Sequence, residues 1–296
     1  MPKLYKTNIM KIIKTSLKSI SAIALTSVLF ACAEPPKSET TTEEEVAVEE
    51  EMVEEVYEND FILPSPIQIA AMFNRAGLKY EGGITNPTSN ISKYNTKTAR
   101  YLNFGVYSAD LAYAVLNSER QASLDYIKVV RELSDAIGIP GIFDGGNLLN
   151  SFEKNIDNQD SILYILTEIK SRTDDYLSEN NDESKEAVFF AAAWVEGMYL
   201  GSKSATTESS ITPRIIEQMS ILNNVIGAIQ NQNDPTLDLT FLINGLKEVE
   251  TTFESFEEVK ALDNPEVSFS DITLTKEEIV ILNQKIKDLR ATIING

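Results

Sequence analysis

From residue 61 onward, apolar residues recur at intervals of three and four, the spacing of an α-helix that buries one face. The alternating pattern of a strand is almost absent from this part of the chain. The spacing predicts nine helices, at about 66–77, 93–117, 118–138, 147–156, 159–179, 183–204, 212–231, 234–260 and 275–294. Residues 264–273 are expected to be irregular or to form a short strand. The fold class predicted for residues 61–296 is therefore all-α, either a multi-helix bundle or an α-solenoid-like array.

Pairs of residues three positions apart mark the starts of two of these helices. Ser118 with Gln121, and Thr275 with Glu278, have the spacing of a capping box, in which each side chain satisfies a backbone N–H of the other residue. Gly138 marks a helix end, because glycine readily takes the left-handed conformation that closes many helices. These signals predict both ends of the third helix and the start of the last one.

Two of the predicted helices, 93–117 and 183–204, are apolar on nearly every side. Helices of this kind are buried. Each nevertheless contains an acidic residue in its apolar stretch, Asp110 in FGVYSADLAYAVL and Glu196 in FFAAAWVEGMYLG. A buried acid must be ion-paired, hydrogen-bonded or protonated. If the two helices are neighbours, the two carboxyl groups would face each other and one pKa would be raised.

The buried acids allow a functional and a structural interpretation. In the functional one they form an acid/base pair, a cation site or the polar anchors of a ligand pocket, which would be rimmed by Tyr107, Tyr113, Trp194 and Tyr199. In the structural one each acid accepts a hydrogen bond from a tyrosine or an arginine, or reaches solvent. The structural interpretation is favoured, because structural networks also place acids in protein cores.

The two apolar helices also share a sequence pattern. A small residue, an acid and a tyrosine follow Phe104 and Phe190 at identical spacings. The helices that follow are each expected to end at an Ile-Gly pair, with Gly138 and Gly227 in equivalent positions. The pattern is consistent with duplication of a helical unit, or with two buried helices that use similar residues by chance.

The first 31 residues have the pattern of a secretory signal peptide. Five lysines and no acidic residue precede a short apolar run at residues 20–30. The run is shorter than the roughly 20 apolar residues that a transmembrane helix needs. Residues 1–31 are therefore expected to direct export and then to be removed.

Leu29-Phe30-Ala31-Cys32 resembles the lipobox of bacterial lipoproteins, although Phe30 departs from the small or β-branched residue that is usual there. The resemblance implies cleavage before Cys32 and attachment of diacylglycerol and further acyl chains, such as palmitate, to this residue. Two or more chains anchor a protein stably. An ordinary cleaved signal with a chance cysteine is the alternative. The chain contains no other cysteine, which excludes internal disulfides.

Residues 33–60 contain 12 acidic residues and one lysine. Such a segment repels itself and buries little apolar surface, so 32–60 is predicted to be a lipidated, disordered tether. A short helix that forms with a partner is the alternative, since Val46, Val53, Val56 and Tyr57 would share a face.

Acids soon after a lipidated cysteine resemble the surface-export signals of Bacteroidetes lipoproteins, which implies the outer membrane. The segments GVYSADLAYA and WVEGMYLGS make the chain similar to uncharacterised helical lipoproteins of that group. That resemblance implies no activity.

Composition excludes several classes of function. The chain has no histidine, which excludes Ser-His-Asp catalysis, histidine-ligated zinc hydrolases and histidine-ligated haem. No phosphate-binding glycine motif follows a strand, so no cofactor is expected. Residues 32–296 keep 21 basic and 45 acidic residues, a net charge of −24, which is unsuited to nucleic acid.

The expected function is a non-catalytic binding or interaction module at the cell envelope, with a small ligand or an envelope protein as partner. A structural subunit of an envelope complex is the alternative, and a hydrolase that uses two carboxyl groups is a third hypothesis.

Overall fold

The computed structural model describes residues 64–143 and 148–296. The signal peptide, the lipidation site and the acidic tether predicted for residues 1–60 lie outside the described residues. All regular elements within the two described ranges are helical, which confirms the all-α prediction. Its α-helices are α1 (Pro66–Arg75), α2 (Lys97–Leu116), α3 (Arg120–Ala136), α4 (Leu148–Lys154), α5 (Gln159–Glu179), α6 (Ser184–Ser202), α7 (Ile211–Met219), α8 (Leu222–Gln230), α9 (Thr240–Glu254) and α10 (Lys276–Asn295).

Short 3₁₀ turns occur between some of these helices, at Thr88–Lys93, Pro140–Ile142, Val259–Asp263 and Phe269–Asp271. The last turn lies in the segment 264–273, where a strand was one of two expectations, and no strand forms there. No helix among the described residues is long and apolar enough to cross a membrane.

Two of the three predicted helix-end signals are confirmed. Thr275 and Glu278 form the capping box at the start of α10. Gly138 has a φ of +83°, and the next backbone N–H, that of Ile139, donates to the Ser134 carbonyl at 2.9 Å. This is the 6→1 bond that closes a helix with a left-handed residue.

The capping box predicted at Ser118 is wrong, because Ser118 ends α2 instead of starting α3. Its φ is +60°, and the N–H of the next residue, Glu119, donates to the Ala114 carbonyl at 2.9 Å. Ser118 therefore takes the left-handed position that closes α2. α3 starts two residues later, at Arg120, without a side-chain cap.

One predicted helix is interrupted and another starts later than expected. The helix predicted at 212–231 is interrupted after Met219 and becomes α7 and α8. The helix predicted at 234–260 starts only at Thr240, because the Asp234 side chain accepts the backbone N–H of Thr236 at 2.9 Å and holds a turn. A short polar side chain that bonds the backbone two residues ahead competes with helix formation in this way.

The centre of the domain is the pair α2 and α6. Fifteen of the 20 residues of α2 and fifteen of the 19 residues of α6 are buried. α1, α3 and α10 pack on α2, and α1, α7, α8 and α10 pack on α6, while α9 packs on α8 and α10. In a solenoid each repeat contacts only its neighbours in sequence. Here the last helix packs on the second and the sixth, so the fold is a bundle around a central pair.

Gly138 and Gly227, the two glycines of the repeated sequence pattern, do not occupy equivalent positions in the structure. Gly138 closes α3 in the left-handed conformation, whereas Gly227 lies within α8 and is not among the glycines with positive φ. The prediction that Gly227 ends a helix is therefore wrong. Duplication stays a prediction that depends only on the shared spacing in α2 and α6.

Candidate functional site

Asp110 and Glu196 lie where α2, α6 and α10 meet, and both are completely buried. Arg290 of α10 forms a two-pronged ion pair with Glu196, in which Nε donates to Oε2 at 2.8 Å and Nη2 donates to Oε1 at 2.8 Å. Arg290 itself is only 7% exposed. A bidentate arginine–carboxylate pair is among the strongest charged hydrogen bonds. The acid in α6 therefore has a dedicated buried partner.

Further contacts hold the Arg290 guanidinium in place. Its Nη2 also donates to the Ile84 carbonyl at 3.1 Å, and its Cζ lies 4.2 Å from the centre of the Tyr199 ring. Burial lowers the pKa of Arg290, but the attraction of Glu196 more than offsets this and leaves the pKa above its usual value. Arg290 is thus the cation of this site at any physiological pH.

Asp110 is held differently from Glu196. Its Oδ2 accepts the backbone N–H of Asn86 at 3.0 Å, and no donor among the described residues reaches its Oδ1. Burial and the repulsion of Glu196 raise the pKa of Asp110 well above its usual value, against the opposing effects of Arg290 and the Asn86 N–H. The two helices α2 and α6 are neighbours, as the expectation of facing acids required, and the raised pKa belongs to Asp110.

The cluster contains two acids and one cation, and only one of the acids is paired with that cation. The raised pKa of Asp110 favours its neutral form, and Glu196 is the acid that pairs with Arg290. Charge balance allows three ionisable groups to be buried together, since an unpaired buried charge is strongly destabilising.

Asn86 connects this cluster to the end of α10. Its Nδ2 donates to Tyr94 Oη at 2.9 Å and to Asn103 Oδ1 at 3.2 Å. The Asn103 amide and the Tyr94 hydroxyl donate in turn to the carbonyls of Ile293 and Ile294, at 3.0 and 3.2 Å. The last carbonyls of a helix lack donors within the helix, and here buried side chains donate hydrogen bonds to them.

Tyr107 and Tyr113, two of the residues predicted to rim a ligand pocket, bind the loop between α1 and α2. Tyr107 Oη donates to the Pro87 carbonyl at 2.8 Å. Tyr113 Oη donates to the Lys79 carbonyl at 2.7 Å and accepts the Glu81 N–H at 2.8 Å. Burial raises the pKa of Tyr107 and raises that of Tyr113 to about 12, so both hydroxyls keep the protons that they donate.

Trp194 and Tyr199, the remaining two predicted residues, also pack in the bundle. Trp194 is completely buried, and its Nε1 has no hydrogen-bond acceptor among the described residues. Tyr199 is 7% exposed and has two cations over its ring, Arg290 at 4.2 Å and Lys203 at 5.0 Å. The ligand role of these side chains stays a prediction, and the contacts that they make are structural.

A cavity of about 110 Å³ lies elsewhere, between α1, α2, α3, α5 and α6. Its wall is mainly apolar, and its charged residues are Lys170, Asp174 and Glu186. None of the six predicted residues lines it. Its apolar lining includes Phe104, Leu111, Leu166, Ile169, Phe189 and Phe190. No sequence signal marks this cavity, because it arises where five helices fail to close on one another.

A second cavity, of about 160 Å³, has a wall of mixed polar and apolar side chains and lies beside Ser118 and Ser123. Arg120 lines it and pairs with Asp157 at 2.8 Å. These two side chains are 59% and 76% exposed. An exposed ion pair contributes little to stability or to recognition by itself, so this cavity is the weaker candidate.

The described residues contain no group of three acidic or cysteine side chains that would hold a metal ion.

No family model, curated protein or solved structure matches this chain.

Proposed function

We propose that the protein is a lipoprotein anchored through Cys32 to a membrane of the cell envelope, the outer membrane, and that its helical domain is a non-catalytic module that binds a small molecule. The anchor is supported by the position of the only cysteine directly after the apolar run of the signal peptide. The binding role depends on one observation, the apolar cavity beside α2 and α6. Ligand sites are typically concave and mostly apolar with a few polar groups.

The arrangement of the buried acids favours binding over hydrolysis. Two-carboxyl hydrolases need both groups accessible across a substrate, with a separation of roughly 5–10 Å. Asp110 and Glu196 are completely buried, and Arg290 occupies both oxygens of Glu196. A substrate would have to displace a buried ion pair to reach them.

The alternative of a structural subunit has less support. A subunit interface would leave a continuous apolar patch on the isolated domain. The large exposed apolar residues of the described part are Tyr164 on α5 and the adjacent Val280 and Ile281 on α10. Three such residues on two helices are typical of an ordinary protein surface.

The anchor is tested by metabolic labelling with a palmitate analogue in the native host. We expect the label on the native chain and its loss in Cys32→Ala, which should leave the membrane fraction. Ser38→Ala, a change in the adjacent tether, should keep both the label and the membrane location. Label on Cys32→Ala would contradict the proposal.

The binding role is tested by purifying the protein from its own membranes and identifying small molecules that accompany it by mass spectrometry. We expect a compound that is present with the native protein and absent with Leu166→Trp, whose indole would fill the cavity. Leu163→Trp is the matched control, because Leu163 lies one turn away on the same helix, is similarly half-buried and does not line the cavity. Equal recovery from all three proteins would contradict the proposal.

A further inference from the structure

Three hydroxyl groups line the cavity, and two of them donate to carbonyls of their own helices, while the third, that of Ser65, accepts a backbone N–H at the start of α1. Ser108 Oγ donates to the Phe104 carbonyl at 2.7 Å, and Thr173 Oγ1 donates to the Ile169 carbonyl at 2.8 Å. Both hydroxyls therefore satisfy their own helices. A polar group that entered this interior would lose its hydration without gaining a full set of partners. With this mainly apolar lining, the part of a ligand that enters the cavity is expected to be mainly apolar.

The volume limits the size of that apolar part. An engineered apolar cavity of roughly 150 Å³ stays dry and binds benzene or xenon. The cavity here has about 110 Å³ and is lined by three phenylalanines and several aliphatic side chains. One aromatic ring or an aliphatic group of similar bulk fits this space.

The charged residues that line the cavity carry a net negative charge. Lys170 Nζ lies 2.5 Å from Asp174 Oδ2 and 3.3 Å from Glu186 Oε1. Burial lowers the pKa of Lys170, but its hydrogen bond to Asp174 and the charge of Glu186 more than offset this, so the amine stays charged. Two carboxylates therefore share one ammonium, and the side chains of all three are 38–42% exposed.

This balance discriminates between the polar ends of ligands. An anionic end would find no free cation, since Lys170 is engaged by both acids, and would meet an excess carboxylate. A cationic end would join Glu186, whose 3.3 Å contact with Lys170 is the longer of the two. A neutral hydroxyl would hydrogen-bond to either acid without repulsion.

Building on the proposed binding role, we infer that the ligand of this cavity is a compact amphipathic molecule, with an apolar group about the size of benzene and an amine or hydroxyl at its exposed end. Carboxylates of the same size are selected against. The recognition therefore combines apolar shape with electrostatic exclusion.

The test uses three probes that share one ring, benzylamine, benzyl alcohol and benzoate. Binding is followed by ligand-detected NMR and by the shift in unfolding temperature of the full chain carrying Cys32→Ser, which avoids detergent. We expect saturable binding of the amine and the alcohol. Benzoate should bind at least roughly fivefold more weakly than benzylamine, which is the effect of one unit charge near another at a solvated site.

Two pairs of variants locate the effect. Leu166→Trp should abolish binding of all three probes, and Leu163→Trp should not. Ile67→Trp fills the cavity from α1 and replaces Leu166→Trp if that variant does not fold. Glu186→Gln should reduce the preference for amine over carboxylate by roughly fivefold, whereas Glu183→Gln, an exposed neighbour outside the cavity, should leave it unchanged.

The outcomes separate the two proposals. If benzoate binds as tightly as benzylamine, or if Glu186→Gln leaves the preference unchanged, the inferred ligand class is wrong while the binding role stands. If none of the probes binds, or if the cavity-filling variants bind as well as the native chain, both the ligand class and the use of this cavity are wrong.

Discussion

Asp110 is the residue through which pH should act most directly on the stability of the bundle. Its pKa in the folded protein lies well above the ordinary 3.8, because burial and Glu196 penalise its charged form. The folded protein therefore keeps a proton that the unfolded chain releases above about pH 4. The stability linked to this proton is complete below the unfolded pKa and is lost as pH rises through the folded one.

We expect the free energy of unfolding of Asp110→Asn to fall less steeply with rising pH, above pH 4, than that of the native protein. Asparagine has the shape of the neutral acid and carries no charge, and its oxygen can accept the Asn86 N–H. The gain in unfolding free energy should grow from pH 4 to neutral pH, because over this range the unfolded native chain releases the proton that the folded protein keeps. Urea titrations across a pH series would measure it.

The control for this experiment is Asp135→Asn, on the exposed face of α3. It should leave both the stability and its pH dependence unchanged. A pH dependence of Asp110→Asn identical to that of the native protein would show that Asp110 is ionised in the folded state.

At the scale of the elements, the contact between α2 and α6 depends on the absence of one side chain. A Cβ at Gly105 would lie 2.1 Å from the carbonyl oxygen of Phe189, far inside van der Waals contact. The obstacle is helix backbone, so it cannot rotate away as a side chain would. The two central helices therefore owe their close approach to Gly105.

We expect Gly105→Ala to destabilise the protein by about 3 kcal/mol or more, because the central helices must separate and lose packing. Gly227→Ala should instead stabilise it by roughly 0.5–1 kcal/mol, since Gly227 lies inside α8 and its Cβ would meet nothing within 4 Å. Thermal and urea unfolding would measure both. Similar effects of the two alanines would contradict the close approach.

At the scale of the whole molecule, the chain's last helix is part of the centre. α10 packs on α2 and α6 and supplies Arg290 to the buried acids. Tyr94 and Asn103, which are far from α10 in sequence, bind its final carbonyls. The domain should therefore fold as one cooperative unit, unlike a solenoid, whose stability is a sum over repeats.

We expect a chain that stops after Leu274 to lose cooperative unfolding and to lose more helical circular dichroism than α10 alone contributes. Glu196 would remain buried without its cation, which costs about 3–5 kcal/mol, and apolar faces of α6 and α9 would be exposed. Fluorescence of Trp194 in α6 should report the same loss. A chain that stops after Asn295 is the control, and survival of a cooperative transition without α10 would contradict a single unit.

Local sequence determined most of the helices and the burial of two acids. The predicted limits of the fifth helix, 159–179, are those of α5, because periodicity and an N-cap at Asn158 act within a few residues. The apolar surroundings of Asp110 and Glu196 predicted their burial for the same reason. Both inferences depend on which residues lie within a turn or two of one another.

Tertiary structure decided the rest. Ser118 has the spacing of a capping box, yet it closes α2, and Asp234 holds a turn in which its side chain also pairs with Lys97 at 2.6 Å. Arg290, the partner of Glu196, is 94 residues away from it. The cavity depends on how five helices meet. Side-chain spacing along the chain determines which face of a helix is buried, but only packing determines what lies against that face and where a gap remains.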